Sequence, residues 1–372
     1  MAPDPNLHGL QEAGVSVWLD TLSRRLLESG QFAELIRDYN VTGATSNPTI
    51  FAEAITGSDL YDEQLGRLVA GGARDTQELF FSLALDDVRR AAELLRPEYD
   101  RSGGLDGFVS FECTPDLADN THATIAQAID LWQRLDRPNV MIKVPGTDAG
   151  LPAIEELTRR GVNVNVTLLF SIERYEQVID AYLRGLSARA QDGERLDALN
   201  SVASFFLSRI DTKVDAQLPE GSPLRGTIAL ASARVAYQRY LAKFSGPEWE
   251  RLASAGAKRQ RPLWASTGTK NPKYSDVLYV SELIGPDVVN TMPEQTLRAF
   301  ADHGEVARTV DADPEGARRT LADARAAGID LGLVTADLER EGVRSFCDSY
   351  HQLLDCVEKK RGVATAVSGS AA

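Results

Sequence analysis

The sequence predicts an α/β protein, a (β/α)₈ (TIM) barrel with additional helices, and two observations carry that expectation. Short strand-like apolar runs alternate with longer amphipathic stretches, the pattern of a parallel sheet wrapped by helices. Polar residues also recur within or just after those runs, at the strand ends where barrels of this type collect their active sites. Strands are expected at Ser16–Asp20, Thr42–Asn47, Gly107–Glu112, Val140–Pro145, Val162–Phe170, Ser201–Leu207, Pro262–Thr267 and Val288–Met292, eight in all, the number that closes a barrel. Between them, segments such as Thr76–Leu95, Thr124–Arg134 and Leu151–Arg160 repeat apolar residues at helical spacing, with Glu and Arg on the other face. The stretches Asn47–Gly107 and Gly221–Arg261 are too long for one crossover helix each. A last helix, about Ala336–Lys360, is expected to fold back over one end of the barrel. One barrel domain is expected over 1–361 and a disordered tail over 362–372, which lacks large apolar side chains.

Composition narrows the function. With 43% hydrophobic and 25% charged residues over 372 positions, the chain can bury a large core. A net charge of −14 argues against binding to nucleic acid or to an anionic membrane. It leaves small anionic substrates open, because a few local cations override the global sign. No apolar run approaches the length of a membrane span, and the opening residues have neither a basic start nor an apolar stretch, so a cytoplasmic location is expected. Cys113, Cys347 and Cys356 form no CxxC pair, and His8, His122, His303 and His351 are scattered. No metal and no other cofactor is therefore expected. A monomer and a homodimer both remain open.

The sharpest clue is Val162-Asn163-Val164-Asn165-Val166-Thr167-Leu168. Strict alternation puts the valines on one face and Asn163, Asn165 and Thr167 on the other. Helices outside a barrel need the apolar face, so the amides and the hydroxyl are expected inside; an edge strand with one wet face is the alternative. Buried amides cost roughly 1–3 kcal/mol each unless paired. Ser110 and Glu112 likewise oppose Val109 and Phe111, and Lys143 faces away from Ile142 and Val144. A lysine in an apolar strand is unusual. Asp20, Asn47, Glu112, Asn165 and Thr167 near other strand ends turn it from a solvated edge residue into a candidate reactive amine.

A desolvated amine is held towards its neutral form, which adds to a carbonyl and gives an iminium, an electron sink for breaking a carbon–carbon bond. Such chemistry needs separate groups to move protons. Asp20 and Glu112 are the available carboxylates, acting directly or through a water held by Thr167. Asn47 and Asn165 suit the orientation of a carbinolamine and sugar hydroxyls. For an anionic group there are two candidates: Arg209, just beyond strand six in Ser204-Phe205-Phe206-Leu207-Ser208-Arg209, and the run Ser266-Thr267-Gly268-Thr269-Lys270 after strand seven.

Taken together, Thr45-Ser46-Asn47-Pro48-Thr49-Ile50-Phe51, Ile142-Lys143-Val144-Pro145-Gly146-Thr147 and the run from Gly161 to Ser171 resemble transaldolase motifs, in the same order. Trp18-Leu19-Asp20, Ser204-x-Phe206-x-x-Arg209 and Ala265-Ser266-Thr267 extend the resemblance over roughly Val17 to Met292, and the loops look most similar to the longer bacterial branch. The resemblance implies sugar-phosphate substrates and the transfer of dihydroxyacetone from sedoheptulose 7-phosphate to glyceraldehyde 3-phosphate, in the non-oxidative pentose phosphate pathway. It implies Lys143 as the Schiff-base residue and Asp20 as the acid/base at the cleaved carbon's hydroxyl. Glu112 and Thr167 would manage the catalytic water, Asn47 and Asn165 would bind the intermediate, Ser204 and Phe206 would line the pocket, and Arg209 with Ser266 would hold phosphate. Two positions depart from the pattern. Gly268 stands where many members carry an arginine, which shifts phosphate binding towards Lys270, and Cys113 replaces a small aliphatic residue.

Overall fold

Eight parallel strands close on themselves in sequence order, β1 to β8, with β8 pairing back onto β1. The computed structural model describes residues 4–370, and side chains through Val363. The strands are β1 (Val15–Leu19), β2 (Gly43–Thr45), β3 (Phe108–Glu112), β4 (Val140–Pro145), β5 (Val164–Leu169), β6 (Ser201–Phe206), β7 (Gln260–Ala265) and β8 (Val288–Met292). Nearly every strand residue is buried, because helices cover the outside and side chains fill the inside. The expected (β/α)₈ barrel with additional helices is the observed fold, and β4 and β8 have the expected bounds.

The other strand ends differ for local reasons. β2 stops at Thr45 because Asn47 turns to cap the helix Pro48–Thr56, its side-chain oxygen accepting from Ile50 N at 3.0 Å. β5 starts at Val164. Asn163 instead ties loops at the strand's start, donating to the carbonyls of Pro138 and Val140 and accepting from Asn200 N. Leu168 has φ +61° where the β5–β6 register shifts, so this strand bulges as it approaches the mouth. β7 runs from Gln260, whose buried amide donates to Ser201 Oγ, and ends before Ser266, which has φ +55° and leaves the ladder.

The two long intervals hold several helices, as expected: Pro48–Thr56, Asp62–Ala70 and Thr76–Arg101 in the first, Ile228–Lys243 and Gly246–Ser254 in the second. The C-terminal helix runs from Leu331 to Ser370, longer than expected at both ends. It continues over most of the segment read as a disordered tail. Extending an existing helix costs no new nucleus, and the alanines there favour it; residues 371–372 lie outside the described ones. This helix packs on Pro48–Thr56, Asp62–Ala70 and Thr76–Arg101 and reaches the end of β5, so it crosses the C-terminal mouth of the barrel. Among the described residues, no helix is long and apolar enough to cross a membrane.

Candidate active site

Strand register builds the centre of the site. Glu112 on β3 pairs with Lys143 on β4, and Lys143 with Asn165 on β5, so the three lie side by side at one level of the barrel. Asn165 donates to Ser110 Oγ on β3 at 2.9 Å and accepts from Ser204 Oγ on β6 at 2.7 Å. Because β3 and β5 are not neighbours, the first of these bonds passes through the interior. The inward reading of the β5 amide and hydroxyl therefore holds for Asn165, whose amide oxygen accepts one bond and whose nitrogen donates one.

Lys143 is only 5% exposed. Its Nζ donates to the Ser46 carbonyl at 3.2 Å and lies 3.6 Å from Glu112 Oε2, an ion pair too long for a hydrogen bond. Glu112 Oε2 and Thr167 Oγ1 are both buried with no hydrogen-bond partner among the described residues. Such orphaned atoms are rare in folded proteins and mark places where a water or substrate group is needed. A small cavity of about 10 Å³ beside Glu112, lined also by Ser46, Asn47, Phe111 and Thr114, has room for about one water.

Burial raises the carboxyl pKa of Glu112, with the neighbouring Lys143 opposing the rise. Asp20 is half-buried at the end of β1, its backbone N–H bonded to the Met292 carbonyl at 3.0 Å. Burial raises its pKa too, against a hydrogen bond from Thr21 and the charges of Lys270 and Lys143. Two carboxyls of raised pKa thus flank one buried amine.

The anion-binding candidates lie on the β6 and β7 side. Arg209 is half-buried, 5.6 Å from the Phe206 ring centroid, and has no carboxylate partner among the described residues. Burial lowers its pKa. Ser266 Oγ lies 2.8 Å from Ser208 Oγ, at the start of the helix Ser208–Asp215. Lys270 is exposed, and its influence on Asp20 places it towards the mouth. A Cβ at Gly268 would stand 3.1 Å from Pro293 Cγ, so a longer side chain there would be crowded.

The expected residues Lys143, Glu112, Asn165, Thr167 and Ser204 come together, with Asp20 electrostatically coupled to them. Asn47 borders the same small cavity, but its side-chain oxygen is spent on capping a helix. Ser46, which contributes a main-chain carbonyl, and Phe346 on the C-terminal helix, 5.9 Å from Lys143 Nζ, were not expected. A carbonyl contact leaves no trace in residue type, and nothing in the local pattern of the helix marks Phe346. Among the described residues, no group of three or more His, Cys, Asp or Glu is placed to hold a metal ion.

Fold and site define a class: a (β/α)₈-barrel enzyme with a sheltered lysine among carboxyl, amide and hydroxyl groups at the C-terminal mouth. The family model described as transaldolase/fructose-6-phosphate aldolase matches residues 17–357, and the chain belongs to that family. It is 50% identical to a transaldolase of Parafrankia sp. (strain EAN1pec) over 366 residues, covering 97% of this chain and 99% of that one. It is 49% identical to a transaldolase of Mycolicibacterium smegmatis over 96% of this chain and 98% of that one. A transaldolase of Thermobifida fusca is 48% identical over 96% and 99% respectively.

Proposed function

We propose that Lys143 forms a Schiff base with the C2 carbonyl of a ketose phosphate and passes a dihydroxyacetone unit from sedoheptulose 7-phosphate to glyceraldehyde 3-phosphate. The products are erythrose 4-phosphate and fructose 6-phosphate. The observation that carries the reading is the single level of Glu112, Lys143 and Asn165, with the amine 3.6 Å from the carboxylate and almost sealed from water.

The amine adds to the carbonyl, and loss of water gives the iminium. Glu112, through a water shared with Thr167, delivers and removes the protons of that dehydration; the orphaned oxygens of both residues support this pairing. Asp20 takes the proton of the hydroxyl at the cleaved bond as the C3–C4 pair of electrons collapses into the iminium, leaving an enamine and the aldose. Its raised pKa suits a group that must both take and return a proton. The enamine carbon then attacks the acceptor aldehyde, whose oxygen receives the proton from Asp20, and hydrolysis frees the lysine. Asn165, held rigid by Ser110 and Ser204, and Asn47 orient the sugar hydroxyls; Phe206 lines the pocket. Arg209, Ser266 and Lys270 hold the phosphate. A half-buried arginine with no carboxylate partner among the described residues, beside the positive end of a helix, is suited to an anion. The absence of any CxxC pair supports a reducing, cytoplasmic setting.

The test is borohydride reduction in the presence of fructose 6-phosphate, followed by peptide mass spectrometry. A reduced three- or six-carbon adduct on Lys143 is expected, and Lys143→Ala should abolish both adduct and turnover. An adduct on another lysine, or turnover in the alanine variant, rules the mechanism out.

A further inference from the structure

The C-terminal helix crosses the mouth between two sets of anchors. On one side Glu341 accepts from Lys213, and Glu339 lies 3.6 Å from Arg174, tying the helix to those that follow β6 and β5. On the other, Ser349 accepts from Thr49 at 2.7 Å, the Tyr350 hydroxyl from Gln77 at 2.6 Å, and His351 pairs with Asp116 at 3.0 Å. Gly342 allows close seating: a Cβ there would stand 3.0 Å from Leu168 Cδ2, at the bulged end of β5. Phe346 falls between the two sets. It is 5% exposed, and its ring centroid lies 5.9 Å from Lys143 Nζ.

We propose that Phe346 is a positioning residue that roofs Lys143 and sets the partition between transfer and release of the three-carbon unit. The proposal rests on the Schiff-base reading of Lys143. After the carbon–carbon bond breaks, the enamine has two fates. Its carbon attacks an acceptor aldehyde, forming a new carbon–carbon bond while the aldehyde oxygen takes a proton. Alternatively that carbon takes a proton, water adds to the resulting iminium, and the lysine amine leaves, freeing dihydroxyacetone. Hydrolysis of an iminium ends both routes; what is peculiar to the second is delivery of a proton to the enamine carbon, beside the amine that the phenyl ring covers. Because the ring is carried by a helix pegged on both sides of the mouth, it stays over the amine.

The full chain should be assayed as wild type and as Phe346→Leu, Phe346→Ala and Phe346→Asn. Dihydroxyacetone released from fructose 6-phosphate without acceptor is compared with transfer to an added aldose phosphate. The ratio of release to transfer is expected to rise about tenfold in the alanine and asparagine variants and to stay near the wild-type value with leucine, which keeps an apolar cover. Variants are scored when their circular dichroism and melting match the wild type. The leucine variant preserves most of the buried volume, so its comparison with asparagine, of similar size, decides the matter even where alanine fails to fold. Equal ratios across the folded variants, with release and transfer falling together, overturn the proposal. Wild-type enzyme that gives no borohydride adduct on Lys143 refutes the underlying Schiff-base reading instead, a separate outcome.

Discussion

Asp211, on the helix after β6, is a carboxyl buried with two donors, Ala229 N at 2.8 Å and the Tyr279 hydroxyl at 2.7 Å. Burial outweighs both and raises its pKa from 3.8 to about 6, with the nearby Asp215 adding to the rise. The folded state therefore holds this proton more tightly than the unfolded chain does. Stability falls as pH rises from about 4 to about 6, and the cost is fully present above that range. The shift corresponds to about 3 kcal/mol. In Asp211→Asn, urea unfolding at pH 4.5 and pH 7 should show the variant gaining on the wild type as pH rises, by up to that amount. A constant difference between the two pH values would mean the carboxyl titrates normally. Site residues of this kind were unevenly legible in the sequence. Lys143, Glu112 and Asn165 stood out because strand alternation sets a polar side chain against apolar neighbours. Asn163 shared that alternation yet serves the loops at the other end of the strand, since alternation gives the face and not the height along the barrel. Phe346 was invisible, because an aromatic residue on an amphipathic helix looks the same whether it meets a core or a reactive amine.

Among the helices, Ile172–Gln191 lies against Gly150–Arg159, and the contact depends on Gly185. A Cβ there would stand 2.6 Å from the Glu155 carbonyl oxygen and 2.6 Å from Thr158 Cβ. Helix propensity alone would credit Gly185→Ala with about 1 kcal/mol of stabilisation. The obstruction includes backbone, which cannot swing aside, so forcing the helices apart should instead cost about 1–3 kcal/mol. Denaturant unfolding distinguishes the two by sign, and a stabilised variant would mean the helices can separate freely. The same distinction between local preference and packing explains how the elements were read. Strands β4 and β8 emerged with their observed ends because apolar runs stop at clear turn residues. β2 and β5 differ from expectation by two residues at one end and one at the other, and β7 by two at both ends. Their limits depend on a helix cap at Asn47, positive φ at Leu168 and Ser266, and a buried amide at Gln260 whose partner Ser201 is distant in sequence, none of which apolar periodicity registers.

At the scale of the whole molecule, the barrel separates its labour between two ends. The C-terminal mouth carries the groups proposed to react, and the opposite end is held by Arg261 near the start of β7. Its guanidinium donates to Ser16 Oγ on β1 at 2.6 Å, to the Val288 carbonyl on β8 at 3.1 Å, to the Asp287 carbonyl at 3.3 Å and to the Leu105 carbonyl ahead of β3 at 3.0 Å. One side chain thus ties β7, β8 and β1 together with the loop before β3. Among the described residues no salt bridge is involved; four neutral acceptors share one delocalised cation, a geometry that lysine lacks. Arg261 is partly exposed, so water recovers some of what these bonds provide, and Arg261→Ala should lower unfolding free energy by about 1–3 kcal/mol. Turnover at 25 °C should be nearly unchanged, because conserving the level of Glu112, Lys143 and Asn165 depends on strand pairing near the mouth and not on the tie below it. Denaturation midpoints and kcat measured on the same preparation test this directly. A variant that loses kcat in proportion to its stability would show that the two ends of the barrel are mechanically coupled, and that closure at the base sets the register on which the lysine's position depends.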